Sequence, residues 1–288
     1  MTPTADLGAA RRFLLAEGRV LERRLLACSF DGASPDGALA ALMAHANPDG
    51  GFGHGLEPDT RGPDSQPLDV QVALEVVGAI GGDPAVATRA CDFLATVGPD
   101  GAVPILLPSA LAHPRASHWH GIERWDPDLN PTAAIAGLLH RLGVAHAWRD
   151  SATAWCFARL EADGPPGEAH ALACVLPFLD HAPDRARAAP LARAAGEALP
   201  ARTLFRSDPD DPGYGLAPHH FAPSPASPWR RLFDDASFDA HLDRLVRDQQ
   251  PDGGWPITWE PPSATAVLDW RGIVTLRAME VLRAYGRA

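Results

Sequence analysis

The sequence predicts an all-α protein of helical hairpins stacked as a solenoid or a closed ring. Apolar residues recur at helical spacing in about ten segments, which are separated by loops rich in Pro and Gly. The alternation of Val, Ile and Thr that is typical of β-strands is missing from the sequence. One loop sequence occurs twice, and repeated hairpins that each bury only one face must stack on their neighbours.

Apolar spacing and cap residues indicate where the helices lie. Residues 67–82 predict a helix because Pro67 stands just inside its start and two glycines follow its end, the usual places of these residues. Residues 7–30 predict helical structure with one apolar side. That side is formed by Leu14, Leu15, Val20, Leu21, Leu25 and Leu26.

The repeated loop reads NPDGGFGHGLEP in residues 47–58 and QPDGGWPITWEP in residues 250–261. The two Asp residues of the shared string are as far apart in the chain as the two Glu residues, so both copies keep one internal spacing. A weaker copy, GPDGAVP, starts at Gly98. This pattern indicates an internal repeat, with the two best copies separated by about four hairpins.

Composition and charge restrict the class of protein. With 288 residues and 46% hydrophobic residues the chain can bury a sizeable core, and we expect a single domain over residues 1–288. The net charge of -11 argues against nucleic-acid binding, because no basic stripe would offset phosphate repulsion. The sequence has no signal-peptide pattern and no apolar run of about 18 residues. We therefore expect a cytoplasmic protein without an integral membrane segment, and its oligomeric state is open.

The cysteines and the longest loops complete this outline. Cys28, Cys91, Cys156 and Cys174 match neither zinc-ligand spacing nor a disulfide framework, so we expect buried thiols, no metal and no cofactor. Long loops near residues 104–131 and 202–232 are rich in Trp, Phe and His, whereas disordered segments are poor in aromatic residues. We expect both loops to be ordered and to fold over one end of the helical array.

Residues 245–255, LVRDQQPDGGW, resemble the QW motif of squalene–hopene-type terpene cyclases and the related repeats of protein prenyltransferase β subunits. Residues 42–52, LMAHANPDGGF, are a degenerate second copy, with Asn47 in the place of Gln250. The resemblance implies an α/α toroid, with an inner ring of helices inside an outer ring and a central cavity open at one end. We expect a toroid that is incomplete or trimmed relative to a full ring of six hairpins.

The glycines of the repeated loop predict sharp corners between an outer and an inner helix, because glycine tolerates positive φ. Phe52 and Trp255 are expected to pack across these corners. The predicted structural turn residues are Asp49, Gly50, Gly51, Asp252, Gly253 and Gly254.

The segments after the corners are the candidate functional residues, since loops that enter inner helices line the mouth of a toroid cavity. The predicted catalytic residues are Glu57, Asp59, Glu260 and Asp269. The predicted substrate-binding residues are Arg61, Gln66, Trp119, Trp125, Trp259 and Trp270. A structural alternative is that Glu57 and Glu260 cap the following helices or pair with Arg61 and Arg271.

The resemblance suggests isoprenoid chemistry, in which a terpene cyclase protonates its substrate with an Asp-x-Asp-Asp motif. One literal match occurs at Asp208–Asp211, but its Pro-rich surroundings predict a solvated turn. The Asp-x-Cys zinc pair of prenyltransferases has no counterpart, because Cys91 precedes Asp92. Most tryptophans fall in or beside loops, which favours a flat or polar ligand over a hydrocarbon tunnel.

Two other functions remain open. The carboxylates and tryptophans also fit a carbohydrate-active lyase, hydrolase or epimerase, in which paired carboxylates act as acid and base. His118 and His120 would lie in such a site or bind a metal, although two histidines alone are more often surface residues. A toroid that binds a small-molecule ligand without catalysis fits the same motifs. Our leading hypothesis is a small-molecule enzyme with carboxylate acid–base chemistry, including isoprenoid cyclisation or isomerisation.

Overall fold

A computed structural model of the chain describes residues 3–121 and 124–288. Over these residues the regular structure is helical, with isolated β-bridges and no β-strand. The predicted all-α class is therefore confirmed. The predicted domain over residues 1–288 and the first long loop include four residues that lie outside the described ranges: Met1, Thr2, Ile122 and Glu123.

Most connections between the helices are short, and the longer ones are the two long loops and the two segments that carry the repeated loop, residues 44–66 and 248–263. In chain order they are α1 (Leu7–Glu17), α2 (Val20–Asp31), α3 (Asp36–Met43), α4 (Pro67–Ile80), α5 (Pro84–Val97), α6 (Leu129–Arg141), α7 (Ala147–Asp163), α8 (Ala169–His181), α9 (Arg185–Ala198), α10 (Pro218–Phe221), α11 (Asp235–Arg247) and α12 (Ala264–Ala284). Short 3₁₀ helices lie in or beside the long loops, at Pro108–Ala112, Ser117–Trp119, Leu199–Ala201 and Pro228–Leu232.

Contacts between Cα atoms divide the chain into two compact units. Unit 1 combines the segment up to Ala38 with Leu204–Ala288, and unit 2 is Leu39–Thr203. None of the helices in residues 3–121 and 124–288 has both the length and the apolar character needed to cross a bilayer.

Unit 2 consists of two layers of helices. In one layer α6 packs between α4 and α8, and in the other α7 packs between α5 and α9. Each helix of the first layer also packs on the helix that follows it, so the unit contains three hairpins. The first layer is the more buried one, which explains the nearly continuous apolar sequence of α6. Gly137 permits close packing there, since a Cβ atom on it would lie 2.8 Å from Phe178 Cα in α8. The closure of such layers into a toroid stays a prediction.

Unit 1 is built around α12, which contacts α1, α2 and α11. Its main core contains the buried residues Ala10, Leu14, Leu26, Trp255, Leu276, Ala278, Met279 and Leu282. The expected single apolar side of residues 7–30 is wrong, because the chain turns between α1 and α2 at Gly18 and Arg19. As a result Leu15 and Val20 are 49% and 61% exposed.

The first copy of the repeated loop makes a tight turn before α4. Gly50 has φ +90°, and a Cβ atom on it would lie 2.4 Å from the Arg89 carbonyl oxygen in α5. The Asn47 N–H donates to the Gly51 carbonyl oxygen over 2.9 Å, and Asp49 Oδ1 accepts the Gly51 N–H over 2.9 Å. The Gly50 N–H closes the turn on the Asn47 carbonyl oxygen over 3.1 Å, and only glycine fits this last position without strain.

The second copy repeats this geometry before α12. Gly253 has φ +93°, the Gln250 N–H donates to the Gly254 carbonyl oxygen over 2.8 Å, and Asp252 Oδ1 accepts the Gly254 N–H over 3.0 Å. Arg271 binds the same Asp252 oxygen at 2.8 Å. The internal repeat is thus a repeat of one backbone turn.

The glutamine and the aromatic residue of the QW-like string hold the second turn in unit 1. Gln249 Nε2 donates to the carbonyl oxygens of Asp6 and Gly253, and its Oε1 accepts the Asp6 N–H over 2.9 Å. The buried Trp255 donates its indole N–H to the Leu245 carbonyl oxygen over 2.7 Å. The motif therefore fixes the start of α1 against the turn before α12.

The weaker copy at residues 98–104 has the same kind of turn before α6. Gly101 has φ +86°, and a Cβ atom on it would lie 2.5 Å from the Ser151 carbonyl carbon in α7. The Thr132 hydroxyl accepts the Val103 N–H over 3.1 Å, as the Thr275 hydroxyl accepts the Trp255 N–H after the second copy. The repeat thus extends to a third hairpin.

We predict that Gly253→Ala lowers the free energy of unfolding by about 2–4 kcal/mol, because it adds both left-handed strain and overpacking. The added Cβ would lie 2.3 Å from the Ala9 carbonyl oxygen. Gly32→Ala is the matched control, because Gly32 has φ +66° but open space around it, and it should cost about 1 kcal/mol. Urea denaturation measures both, and equal losses would show that packing at the turn is unimportant.

Candidate functional site

Three buried carboxylates of unit 2 lie in the segment that runs from the first copy of the repeated loop to the first turn of α4. Asp69, in the first turn of α4, accepts the Glu57 backbone N–H over 2.7 Å, and Glu57 Oε2 accepts the Asp59 backbone N–H over 3.1 Å. The residues Glu57, Asp59 and Asp69 are 6%, 4% and 1% exposed. The start of a helix favours a negative charge such as that of Asp69. The backbone amides therefore satisfy part of the hydrogen bonding that burial takes from these carboxylates.

The first long loop pairs with the segment that carries Asp59. The Ala116 N–H donates to the Asp59 carbonyl oxygen over 2.8 Å, and the Arg61 N–H donates to the Pro114 carbonyl oxygen over 3.0 Å. Thr60 and Arg115 form an antiparallel bridge between these contacts. Residues 59–61 and 114–116 thus form a short two-stranded clamp without a regular sheet.

Gln66 ties the same loop to the start of α4. Its Nε2 donates to the Ser109 hydroxyl over 2.9 Å, and its Oε1 accepts the Leu107 N–H over 2.7 Å. The side chain is almost fully buried. Gln66, predicted to bind substrate, therefore positions the loop through both ends of its amide.

The clamp brings His118 to Asp59. The Nε2 atom of His118 lies 3.5 Å from Asp59 Oδ2, with the histidine side chain 45% exposed and the aspartate buried. Burial lowers the pKa of His118, the Asp59 charge opposes this shift, and the charges of His170 and His120 add to it. The lowered pKa leaves the imidazole neutral near pH 7, in the form that accepts a proton.

The tryptophans of this loop are half-buried. The rings of His118 and Trp119 lie 4.6 Å apart between centroids. The indole N–H of Trp119 is shielded from solvent and has no hydrogen-bond partner among the residues that the structure describes. Trp125 is also half-buried, on the segment that leads into α6.

The remaining predicted residues belong to unit 1. Asp269 is buried in α12, whereas Glu260 is exposed, so the two repeated glutamates have different environments. The rings of Trp259 and Trp270 pack edge to face at 5.0 Å, and Tyr214 packs on Trp259 at 5.4 Å. Unit 1 thus combines an aromatic cluster with a buried acid on α12. Unit 1 also has a shallow groove lined by Arg12, Phe13, Ala16, Glu17, Asp252, Leu268 and Arg271.

Sequence reasoning missed Asp69 of the unit 2 site, and it missed the Glu168–His170 pair at the start of α8. Asp69 is an acid in the first turn of an apolar helix, and that pattern was a usable signal. Glu168 caps α8 and binds His170, and the hydrogen bond from this ring lowers the pKa of Glu168. The electrostatic influence of His170 on His118 has no signal in the sequence, because it depends on how the chain folds.

The Asp-x-Asp-Asp match is a surface turn, as expected. Asp208 Oδ1 accepts the Asp210 N–H over 2.9 Å, a local bond typical of Asp-initiated turns. The Asp210 side chain is 76% exposed and lies 3.2 Å from Arg247. This acid therefore lacks the buried environment that would keep it protonated.

No group of three or more His, Cys, Asp or Glu residues within the described ranges is arranged to hold a metal ion. The four cysteines are free thiols, three of them buried, while Cys28 is half-buried and contacts the Ser34 carbonyl oxygen. Burial raises the pKa of Cys91 to about 12, so this thiol stays protonated and is a poor nucleophile.

We predict that Asp59→Asn lowers the pKa of His118 further, because the Asp59 charge is the main interaction that favours the imidazolium. NMR titration of the His118 Cε1–H signal measures this shift. Asp92→Asn is the matched control, since Asp92 faces His146 at 3.2 Å elsewhere in unit 2 and should leave His118 unchanged. An unchanged His118 in Asp59→Asn would contradict the pairing.

A second prediction concerns His219 in unit 1, whose Nδ1 is shielded from solvent and has no hydrogen-bond partner within the described ranges. Burial, followed by the charges of His220, His241 and Arg206, lowers the pKa of His219 well below its usual range. Near pH 6.5 the unfolded chain therefore binds a proton at this histidine and the folded chain does not. The free energy of unfolding falls as the pH drops through that value. His219→Gln should flatten the dependence of the unfolding free energy on pH between about 7.5 and 5.5. A variant with the wild-type slope would refute this assignment.

Comparisons with known proteins identify a similar fold. No protein-family model matches the chain, and the search of curated proteins found no match. A crystal structure of a protein from Actinoplanes is similar, with a TM-score of 0.55 and 18% sequence identity, over 97% of this chain and 99% of that chain. At this identity the likeness shows a shared fold.

Proposed function

We propose that the chain is a small-molecule enzyme in which Asp59 and His118 carry out acid–base chemistry. The observation that supports this most is the pairing of a buried carboxylate with a half-exposed imidazole at 3.5 Å. The clamp between residues 59–61 and 114–116 holds this pair through backbone hydrogen bonds. A general base needs this kind of fixed placement, with one side of the ring open to a ligand.

The proposed role of His118 follows from the two sides of its ring. An Nε2–H directed at Asp59 leaves the lone pair on Nδ1, which accepts a proton from the substrate. The lowered pKa keeps the ring neutral near pH 7, and the Asp59 charge stabilises the imidazolium that forms. Glu57 has a positioning role in this scheme, since its carboxylate binds the Asp59 backbone.

The substrate class that the surroundings favour is a polar, hydroxylated molecule such as a sugar. Carboxylate oxygens and the unprotonated nitrogen of a neutral imidazole accept hydrogen bonds from hydroxyl groups. Half-buried tryptophan rings at 119 and 125 offer flat apolar faces of the kind that stack on sugar rings.

A second candidate, isoprenoid cyclisation or isomerisation, is favoured by the Tyr214–Trp259–Trp270 cluster in unit 1. Aromatic faces stabilise carbocations, and the QW-like string resembles that of terpene cyclases. The exposed turn at Asp208–Asp211 weakens this candidate because it offers no protonated acid.

Activity assays on a substrate panel test the proposal. The panel contains free neutral sugars, uronic acids, 4-nitrophenyl glycosides and prenyl alcohols, with products followed by NMR. We expect turnover of a sugar, and a loss of about 10²-fold or more in kcat/KM for Asp59→Asn and His118→Gln. His113→Gln is the matched control, because His113 lies on the same loop and faces the exposed Asp64 at the same 3.5 Å.

Three outcomes would contradict this proposal. Wild-type turnover in Asp59→Asn and His118→Gln would remove the pair from catalysis. Turnover of a prenyl alcohol alone would favour the second candidate. Binding of a sugar without any turnover would identify a ligand-binding protein.

A further inference from the structure

The side chain of Arg115 binds three backbone carbonyl oxygens of the first long loop. Its Nη1 donates to the Leu111 carbonyl oxygen over 3.0 Å and to the His113 carbonyl oxygen over 3.4 Å. Its Nε donates to the Trp119 carbonyl oxygen over 3.4 Å. The backbone of Arg115 lies in the clamp, where it forms the bridge with Thr60. The guanidinium group therefore extends from the clamp across the loop.

These carbonyl oxygens lie at the ends of the two 3₁₀ helices of the loop. Leu111 is in the helix before the clamp, and Trp119 ends the helix after it. A continued 3₁₀ helix would offer the Leu111 carbonyl oxygen the N–H of residue 114, but that residue is Pro114 and has no N–H. Arginine is one of the residues that satisfy carbonyl groups left at a helix C-terminus. Arg115 does so for both helices with one side chain.

The second of these helices carries His118. At its start the clamp holds it, because the Ala116 N–H donates to the Asp59 carbonyl oxygen over 2.8 Å and the Ala116 carbonyl oxygen accepts the Trp119 N–H over 3.0 Å. At its end Arg115 binds the Trp119 carbonyl oxygen. Between these two attachments, His118 Nε2 lies 3.5 Å from Asp59 Oδ2.

We propose that Arg115 is a positioning residue of the candidate site, which holds the helix of His118 at the distance from Asp59 that acid–base chemistry requires. A planar guanidinium has donors in a fixed fork, so it can bind carbonyl groups of two helices at once. A displacement of about 1 Å at a reacting group can lower the rate roughly 10²-fold. This inference rests on the proposed function, and it assigns Arg115 no contact with the substrate.

NMR titration of His118 tests the inference without a substrate. Burial is the largest cause of its lowered pKa, the Asp59 charge opposes this shift, and the charges of His170 and His120 add to it. Arg115 is not among these causes, so a shift in Arg115→Gln reports a displaced ring. We expect the pKa of His118 to rise toward its ordinary value, because relief of burial outweighs loss of the Asp59 charge. Asp59→Asn should then change this pKa much less in the Arg115→Gln background than in the wild-type background.

Arg185→Gln is the matched control for a general loss of stability. The Nη1 atom of Arg185 also donates to three carbonyl oxygens at the end of a helix, those of Leu179, Asp180 and Ala182. Because these contacts lie at the end of α8, Arg185→Gln should leave both the His118 pKa and the effect of Asp59→Asn at their wild-type values.

Arg115→Lys is the second test variant and replaces Arg115→Gln if the latter does not fold. It keeps the positive charge without the planar fork, and a single ammonium group cannot reproduce the geometry of both contacts. We expect it also to weaken the effect of Asp59→Asn on the His118 pKa. A wild-type response in Arg115→Lys would contradict the bridging role of the guanidinium group.

Kinetics on a substrate that the panel identifies give the second readout. Arg115→Gln should lower kcat by about 10-fold or more and leave KM nearly unchanged, because it displaces the base and does not touch the substrate. Arg185→Gln should keep the wild-type kcat.

The inference and the proposed function fail in different ways. If Asp59→Asn and His118→Gln lose turnover while Arg115→Gln keeps it, the role of Arg115 is wrong and the proposed function stands. An unchanged His118 pKa with a full effect of Asp59→Asn in Arg115→Gln would also overturn the inference. If Arg115→Gln shifts the His118 titration as expected while Asp59→Asn and His118→Gln keep turnover, the positioning contact is supported and the proposed function is wrong.

Discussion

The hydrogen bond from the Ala116 N–H to the Asp59 carbonyl oxygen holds the candidate site together. It joins the first long loop to the segment before α4, and the neighbouring bond from Arg61 to Pro114 fixes their register. Without this clamp, nothing in the local sequence would keep His118, on an otherwise irregular loop, beside a buried carboxylate. Gln66 adds a second attachment of the loop at Leu107 and Ser109, on the N-terminal side of the clamp.

Burial of three carboxylates in unit 2 is energetically costly, since each ion loses several kcal/mol of hydration. Backbone amides compensate part of this cost, because Glu57 binds the amide of Asp59 and Asp69 binds the amide of Glu57. Buried carboxyl groups are uncommon in a core formed by apolar helices. Ionisable groups in buried environments concentrate at functional sites. The same arrangement gives the carboxylates separate roles. Asp69 and Glu57 hold the segment before α4 through its backbone amides, and Asp59 faces His118.

The sequence was most informative where one residue type is required by local backbone geometry. The shared Asp-Gly-Gly string led to the corners because positive φ at Gly50 and Gly253 depends on glycine itself. The site was harder to predict, since the matching glutamates of the repeat suggested equal roles, yet Glu57 is buried and Glu260 is exposed. The electrostatic influence of His170 on His118 had no signal in the sequence, since the two residues lie far apart along the chain.

The most direct test of the central claim is a crystal structure of the protein soaked with neutral mono- and disaccharides. We expect a sugar with a hydroxyl group within hydrogen-bond distance of Asp59 or His118, and with a ring face against Trp119. A sugar bound only in the shallow groove between Arg12 and Arg271, or a unit 2 site closed by the protein's own side chains, would contradict it.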